Sequence, residues 1–224
     1  MNVRINSDFT IFANTFHNDR LQANRYKITV AFCTKSHDPD EYTVAIDRAV
    51  YFIQGMCDNA IFVDEYGIEA YPELDNMGND VIVLPEEASD QISGLMLFCK
   101  LNAIMEDKIQ VTDVAIKSHV GGEYEYLHNE MEMIGPFEEK GWWHESIPSI
   151  RDPEQLSDEK REVYLDTLPD WSTLGLDWEQ FTPSKDSKDS EDTTDKKPKQ
   201  KASTDKNGDV VFVDFGNKPE KSDT

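Results

Sequence analysis

The chain has 224 residues and carries 45 Asp and Glu against 22 Lys and Arg, a net charge of −23. A body of that sign repels phosphodiesters and anionic lipid, so it argues against direct nucleic-acid or membrane-surface binding and for basic partners. The length allows one domain with a core that needs no disulfide or metal, and 10 % aromatic side chains supply material for it.

The charge is uneven. Residues 1–35 hold Arg4, Arg20, Arg25, Lys27 and Lys35 against Asp8 and Asp19, a balance of +3. Ser36 to Phe181 hold 33 acids against 8 bases, a balance of −25, and the last 43 residues hold 10 acids against 9 bases. The acid therefore belongs to the segment that must fold. The cations near the start are expected to pair internally, with Arg20, Arg25 and Lys27 on local carboxylates, or to give a homo-oligomer opposite poles.

In chain order, Phe9, Ile11, Phe12 and Phe16 form an apolar cluster that suits a first strand. Ile28, Val30 and Phe32 alternate with Lys27, Thr29 and Ala31, the period of a half-buried strand. Asp38-Pro39-Asp40 opens a helix, with proline where its missing N–H is harmless. Tyr42, Ala45, Ala49, Phe52 and Met56, beside Ile46, Val50, Ile53 and Cys57, give that helix a broad apolar face ending near Asp58-Asn59. Ala60–Val63 reads as a strand, with Gly67–Tyr71 as its hairpin mate, and Val81–Leu84 as a short buried strand. Residues 92–104 are apolar around nearly the whole circumference, which predicts the most buried helix. Ile109–His119 alternates, and Gly121-Gly122 turns it back into Tyr124–His128 as a hairpin. Ile147–Asp170 holds a third helix with Leu156-Ser157-Asp158 at its start and Val163, Tyr164 and Leu168 as its apolar contacts. The order predicts an α+β domain, a mainly antiparallel sheet packed against two principal helices.

The expected domain covers 1–182, with a Trp-bearing arm at about 136–182. Residues 183–208 are rich in Lys, Asp, Ser and Thr, with Ala202 as their one aliphatic side chain, and are expected to be a disordered linker. Residues 209–224 contain DVVFVDFG, a β-prone segment that either returns to its own sheet or is offered to a partner, through Val211, Val213 and Phe215.

Chemistry-bearing motifs are sparse. The five histidines show no HxH, HxxxH or HExxH spacing, and there is no Gly-rich phosphate loop and no GxSxG elbow. Cys33, Cys57 and Cys99 are widely spaced in apolar runs and read as small buried hydrophobes in a reducing compartment. Met1–Thr10 lacks the apolar stretch of a signal peptide, so a cytoplasmic protein is expected. Asp64 and Glu65 end a strand and are the carboxylate pair best suited to a divalent metal. Glu106-Asp107-Lys108 resembles the acidic-x-Lys element of metal-dependent nucleases, but ends a helix rather than lying on a strand. No cofactor is expected. Trp142, Trp143, Trp171 and Trp178, with Leu174 and Phe181, either cover the rim of the core or form an aromatic anchor ringed by acid for a basic partner.

The function these features favour is a non-catalytic acidic interaction module on a basic surface, such as the nucleic-acid-binding face of another protein. Nucleic-acid mimicry or inhibition is one form this would take, and acidic inhibitors of this character are frequent among bacteriophage gene products. The alternatives are a metal-dependent enzyme of unfamiliar type built on strand-end carboxylates, and an assembly factor using the C-terminal strand.

Overall fold

A computed structural model describes residues 4–34, 39–122 and 124–178. The segments 183–208 and 209–224, with Phe181, Val211, Val213 and Phe215, lie outside the described residues.

Two long strands, β1 (Arg4–His17) and β2 (Arg20–Thr34), form an antiparallel hairpin. Asn18 and Asp19 close it with φ of 50° and 58°, the left-handed pair of a two-residue turn, at side chains that tolerate that region. Period-two alternation places Phe9, Ile11 and Ala13 of β1, and Tyr26, Ile28 and Val30 of β2, on one buried face. Arg25 and Lys27 point the other way and are exposed. Helix α1 (Pro39–Val50) continues as a wider π-wound segment to Met56, and its expected face is buried through Ala45, Ala49, Phe52, Ile53 and Cys57. Helix α3 (Asp90–Ile104) is apolar on all sides and buried accordingly. It begins at Ser89, whose Oγ accepts a hydrogen bond from the Ile92 N–H at 3.2 Å. Gly94 lets α3 approach the sheet: a Cβ there would lie 2.8 Å from the Tyr126 ring.

Between these helices come β3 (Ile61–Asp64), the short α2 (Glu65–Ala70) and β4 (Val81–Leu84); after α3 come β5 (Ile109–Ser118), β6 (Tyr126–Asn129) and α4 (Asp158–Thr167). The fold is α+β, but its six-stranded sheet, in the order β4-β3-β1-β2-β5-β6, is mixed rather than antiparallel. β3 pairs in parallel with both β1 and β4. The expected hairpin mate of β3, Gly67–Tyr71, falls instead in α2 and the residue after it. Asp64 decides this locally: its Oδ1 accepts from the Gly67 N–H at 2.6 Å and caps the helix. β3 and β4 read IFVD and VIVL without alternation because they are buried on both faces. Phe62, Ile82 and Leu84 join the main core, while Ile61, Val63, Val81 and Val83 meet Leu74, Ile68 and Tyr71 on the other side.

In β5 the alternation slips by one residue where the register shifts opposite Ala31 and Phe32, so that both Val111 and Val114 are buried. Helix α4 forms where expected, yet it buries no residue and leaves Val163 exposed. Cys57 and Cys99 are buried free thiols and Cys33 is half-buried; burial pushes the Cys99 thiol up to about 12. Among the described residues no helix is long and apolar enough to cross a membrane.

Candidate functional site

A cavity of about 520 Å³ opens where the β1–β2 hairpin end, the start of α3, the end of β5 and Tyr124–Tyr126 converge. Its ionisable lining consists of Glu87, Asp90, Glu125 and His17, and among the described residues no lysine or arginine lines it. Thr15, Asn24 and Ser118 supply a buried polar floor, and Tyr124 and Tyr126 an aromatic wall. Burial, with a smaller push from Asp90, raises the phenol of Tyr26, against hydrogen bonds to Thr15, Asn24 and Ser93 that lower it. Two of the carboxylates are held in place. The Ser118 N–H donates to Asp90 Oδ2 at 3.1 Å, and His17 Nδ1 lies 2.6 Å from Glu87 Oε1. Gly121 is required beside them, because a Cβ there would fall 2.3 Å from Asp90 Oδ2. Gly121→Ala is expected to displace the Asp90 carboxylate and cost about 1–3 kcal/mol; thermal denaturation checks it, and an unchanged midpoint would show that the loop yields freely. The lining is thus rich in carboxylates and neutral polar side chains.

The sequence-derived site residues divide into three sets. Asp64 spends its carboxylate on the cap of α2, and Glu65 lies exposed in the first turn of that helix. Among the described residues no group of three or more His, Cys, Asp or Glu is placed to hold a metal. Glu106 and Asp107 form a turn between α3 and β5, both with positive φ, where Glu106 meets Arg48 and Lys108 meets Glu41.

The tryptophans are drawn inward. Trp142 and Trp143 are 2 % and 5 % exposed. Trp142 Nε1 donates to the Val83 carbonyl at 3.0 Å, and Trp143 Nε1 to the carbonyls of Phe137 and Glu139. Trp171 is buried, Leu174 and Trp178 are half-buried, and all three pack on the main core. In this structure they cover its rim; none stands out as an exposed anchor.

Two buried cations organise these arms, and sequence reasoning did not single them out. Arg48, 1 % exposed, lies over the rings of Trp171 (4.6 Å) and Trp178 (4.1 Å) and donates to the carbonyls of Leu176 and Ile104 and to Glu106 Oε1. Lys100, 0 % exposed, donates from Nζ to the carbonyls of Trp142, Glu145 and Ile147 at 2.7–2.9 Å and reaches Ser149 Oγ at 3.3 Å. Burial pulls its amine down to about 7, with Glu145 opposing. The signal for Lys100 was its lone charge in the middle of an otherwise apolar helix. A third clamp joins Arg151 and Lys160 to Asp75. Burial alone would raise the Asp75 carboxyl, but hydrogen bonds from both cations hold it below the usual range.

No protein-family model matches the chain, and no curated protein sequence matches it. Among solved structures it is similar to an uncharacterized protein from Wolinella succinogenes, with a TM-score of 0.43 and 10 % identity over 58 % of this chain and 99 % of that one. It is also similar to two catalytic-residue mutants of 6-pyruvoyltetrahydropterin synthase from Plasmodium vivax, with TM-scores of 0.37 and 0.38 and 9 % identity over the same shares. Likeness at this level bears on neither activity nor ligand.

Proposed function

We propose that the protein is a non-catalytic interaction module that docks on a basic surface of a partner protein. The observation that carries this reading is how the fold sorts its charges. No described Asp or Glu is buried, whereas Arg48 and Lys100 are withdrawn completely from the surface. Of the eight cations in the acidic segment, Lys108, Arg151 and Lys160 also face carboxylates. The outward face of the helices, loops and arms is therefore more negative than composition alone implies. Such a field speeds association with a cationic partner and fades with salt.

The cationic residues near the start oppose this surface only locally. Arg4 pairs with Asp113 at 2.8 Å. Among the described residues the pairing expected for Arg20, Arg25 and Lys27 is not made; β2 turns Arg25 and Lys27 onto the exposed outer face of the sheet. There Lys27 lies opposite Lys117 in register.

The proposed partner is a nucleic-acid-binding protein, and nucleic-acid mimicry the proposed mode; buried free thiols at Cys57 and Cys99 suit a reducing cytoplasm. Immobilised full-length protein is expected to retain basic proteins from a lysate at about 0.05 M salt and to release them at about 0.5 M, with duplex DNA competing. Retention of no basic protein at either salt overturns the module. Retention that duplex DNA does not reduce overturns mimicry alone.

A further inference from the structure

The two edges of the sheet are treated differently. On the β4 side, Trp142 Nε1 and Arg151 Nε each donate to a strand carbonyl, of Val83 and Val81, at 3.0 Å. The arm thus covers that edge. On the other side the sheet ends at β6, and among the described residues no strand pairs beyond it.

The register of β6 on β5 shows which backbone groups face outward. The Glu130 N–H donates to the Thr112 carbonyl at 2.9 Å, which makes those two residues a hydrogen-bonded pair. Antiparallel bonding alternates, so His128 with Val114 and Tyr126 with Ile116 bond inward. Leu127 and Asn129 then turn their N–H groups away from β5, and Leu127 its carbonyl as well. The Asn129 carbonyl is already used by the Glu132 N–H.

The edge is also apolar, and it is packed on α3. Tyr124, Leu127, Met131 and Met133 are 62–88 % exposed within one short stretch. A concentration of large exposed apolar side chains marks an interaction surface, and methionines adapt to varied partners. His128 is buried behind the strand, its ring 4.5 Å from that of Phe98, and Tyr126 packs on Gly94, so β6 is pre-ordered on α3. Glu125, Glu130 and Glu132 alternate with the apolar residues, and no lysine or arginine occurs between Ser118 and Glu139. The carboxylate-lined cavity adjoins the start of the strand at Tyr124–Tyr126.

We propose that β6 is a docking edge, onto which an extended segment of a basic partner protein adds as a further strand. Its lysine or arginine side chains meet Glu125, Glu130, Glu132 and the cavity, and its apolar side chains lie on Leu127, Met131 and Met133. This rests on the acidic-module reading and specifies its contact. Charge selects this occupant over two others. A second copy pairing through β6 would bring the same glutamates together, and the chain's own 209–216 segment would bring Asp209 and Asp214 to them.

The test is an NMR titration of the labelled full-length chain at low salt with a synthetic peptide of alternating lysine and valine. The amides of Tyr126, Leu127 and Asn129 and the methyls of Met131 and Met133 are expected to shift, the Leu127 amide to exchange more slowly, and a glutamate–valine peptide to cause neither change. Leu127→Pro removes an outward N–H and none bonded to β5, and is expected to weaken binding by about tenfold or more. On the unmodified protein, alternate N-methylation of the peptide keeps its charge, removes its backbone donors and should weaken binding likewise. Equal affinity of the methylated peptide, or shifts that map elsewhere on the acidic surface, overturns the docking edge while leaving the acidic module standing. So does a chain that retains basic proteins in a salt-dependent way but does not bind the peptide. A dimer in sedimentation that Leu127→Pro abolishes assigns the edge to a second copy and overturns the proposal. Leu127 protection that disappears on deletion of 209–224 assigns it to the chain's own segment and overturns it equally.

Discussion

Lys100→Met is expected to lower the free energy of unfolding by about 2–4 kcal/mol, read from urea midpoints. Methionine fills a similar volume but cannot donate. The carbonyls of Trp142, Glu145 and Ile147 all accept from Lys100 Nζ, and burying an acceptor unpaired costs about 1–3 kcal/mol. Part of that loss is offset, because the wild type must desolvate an ammonium group to build the cage. The pH dependence separates these contributions. Burial lowers the Lys100 amine from its ordinary 10.5 to about 7. Between those values the unfolded chain binds a proton that the folded chain does not. Raising pH across that window therefore stabilises the fold, and below a pH of about 7 both states hold the proton and this dependence vanishes. Wild type is expected to gain stability relative to Lys100→Met as pH rises from about 7 to about 10. A constant difference would show that the cage holds the ammonium throughout. The local consequence is at Trp142, whose indole covers the β4 edge, so near-ultraviolet dichroism should weaken in the variant.

Arg48→Lys is expected to cost about 2–4 kcal/mol and to loosen residues 171–178 while the sheet stays ordered. The guanidinium reaches the carbonyls of Leu176 and Ile104 and the carboxylate of Glu106 together, and its plane covers both Trp171 and Trp178. An ammonium is a compact point charge that serves fewer of these directions and does not stack. Hydrogen bonds to a charged group contribute about 1.5–3 kcal/mol each, and lysine keeps some of them. Hydrogen exchange should accelerate in 171–178, and tryptophan emission should shift to the red. A change below about 0.5 kcal/mol would mean that Leu174 and Leu176 hold the arm without the cation.

Local pattern carried much of this architecture. Alternation at Ile28, Val30 and Phe32 reports a one-sided strand because side chains alternate across a pleat. The all-round apolar composition of 92–104 reports a buried helix for an equally local reason. Where competing local signals existed, reading failed. Gly67–Tyr71 has the composition of a hairpin mate, but Asp64 is placed to accept the N–H three residues ahead and cap a helix that starts at Glu65, and the cap won. The parallel pairing of β3 was illegible because nothing in IFVD says which strand lies beside it. The tryptophans were visible as a cluster, but for Trp142, Trp143 and Trp171 the choice between rim and anchor depended on what their N–H groups could reach: carbonyls of β4, of Phe137 and Glu139, and of Ser146. The candidate cavity and the β6 edge were equally hidden, since Thr15, Asp90, Ser118 and Glu125 converge only when four separate segments meet.

By itself the sequence determined the excess of negative charge, its location in the folding segment and the run of strands and helices, because composition and periodicity are local properties. Tertiary structure alone decided how that charge is displayed. Arg48 and Lys100 count as surface-type residues in any composition, yet packing turns both inward onto carbonyls and indoles, and the carboxylates remain outside because a buried ion needs a partner already in place. The same packing covers the β4 edge with the arm and leaves β6 uncovered among the described residues.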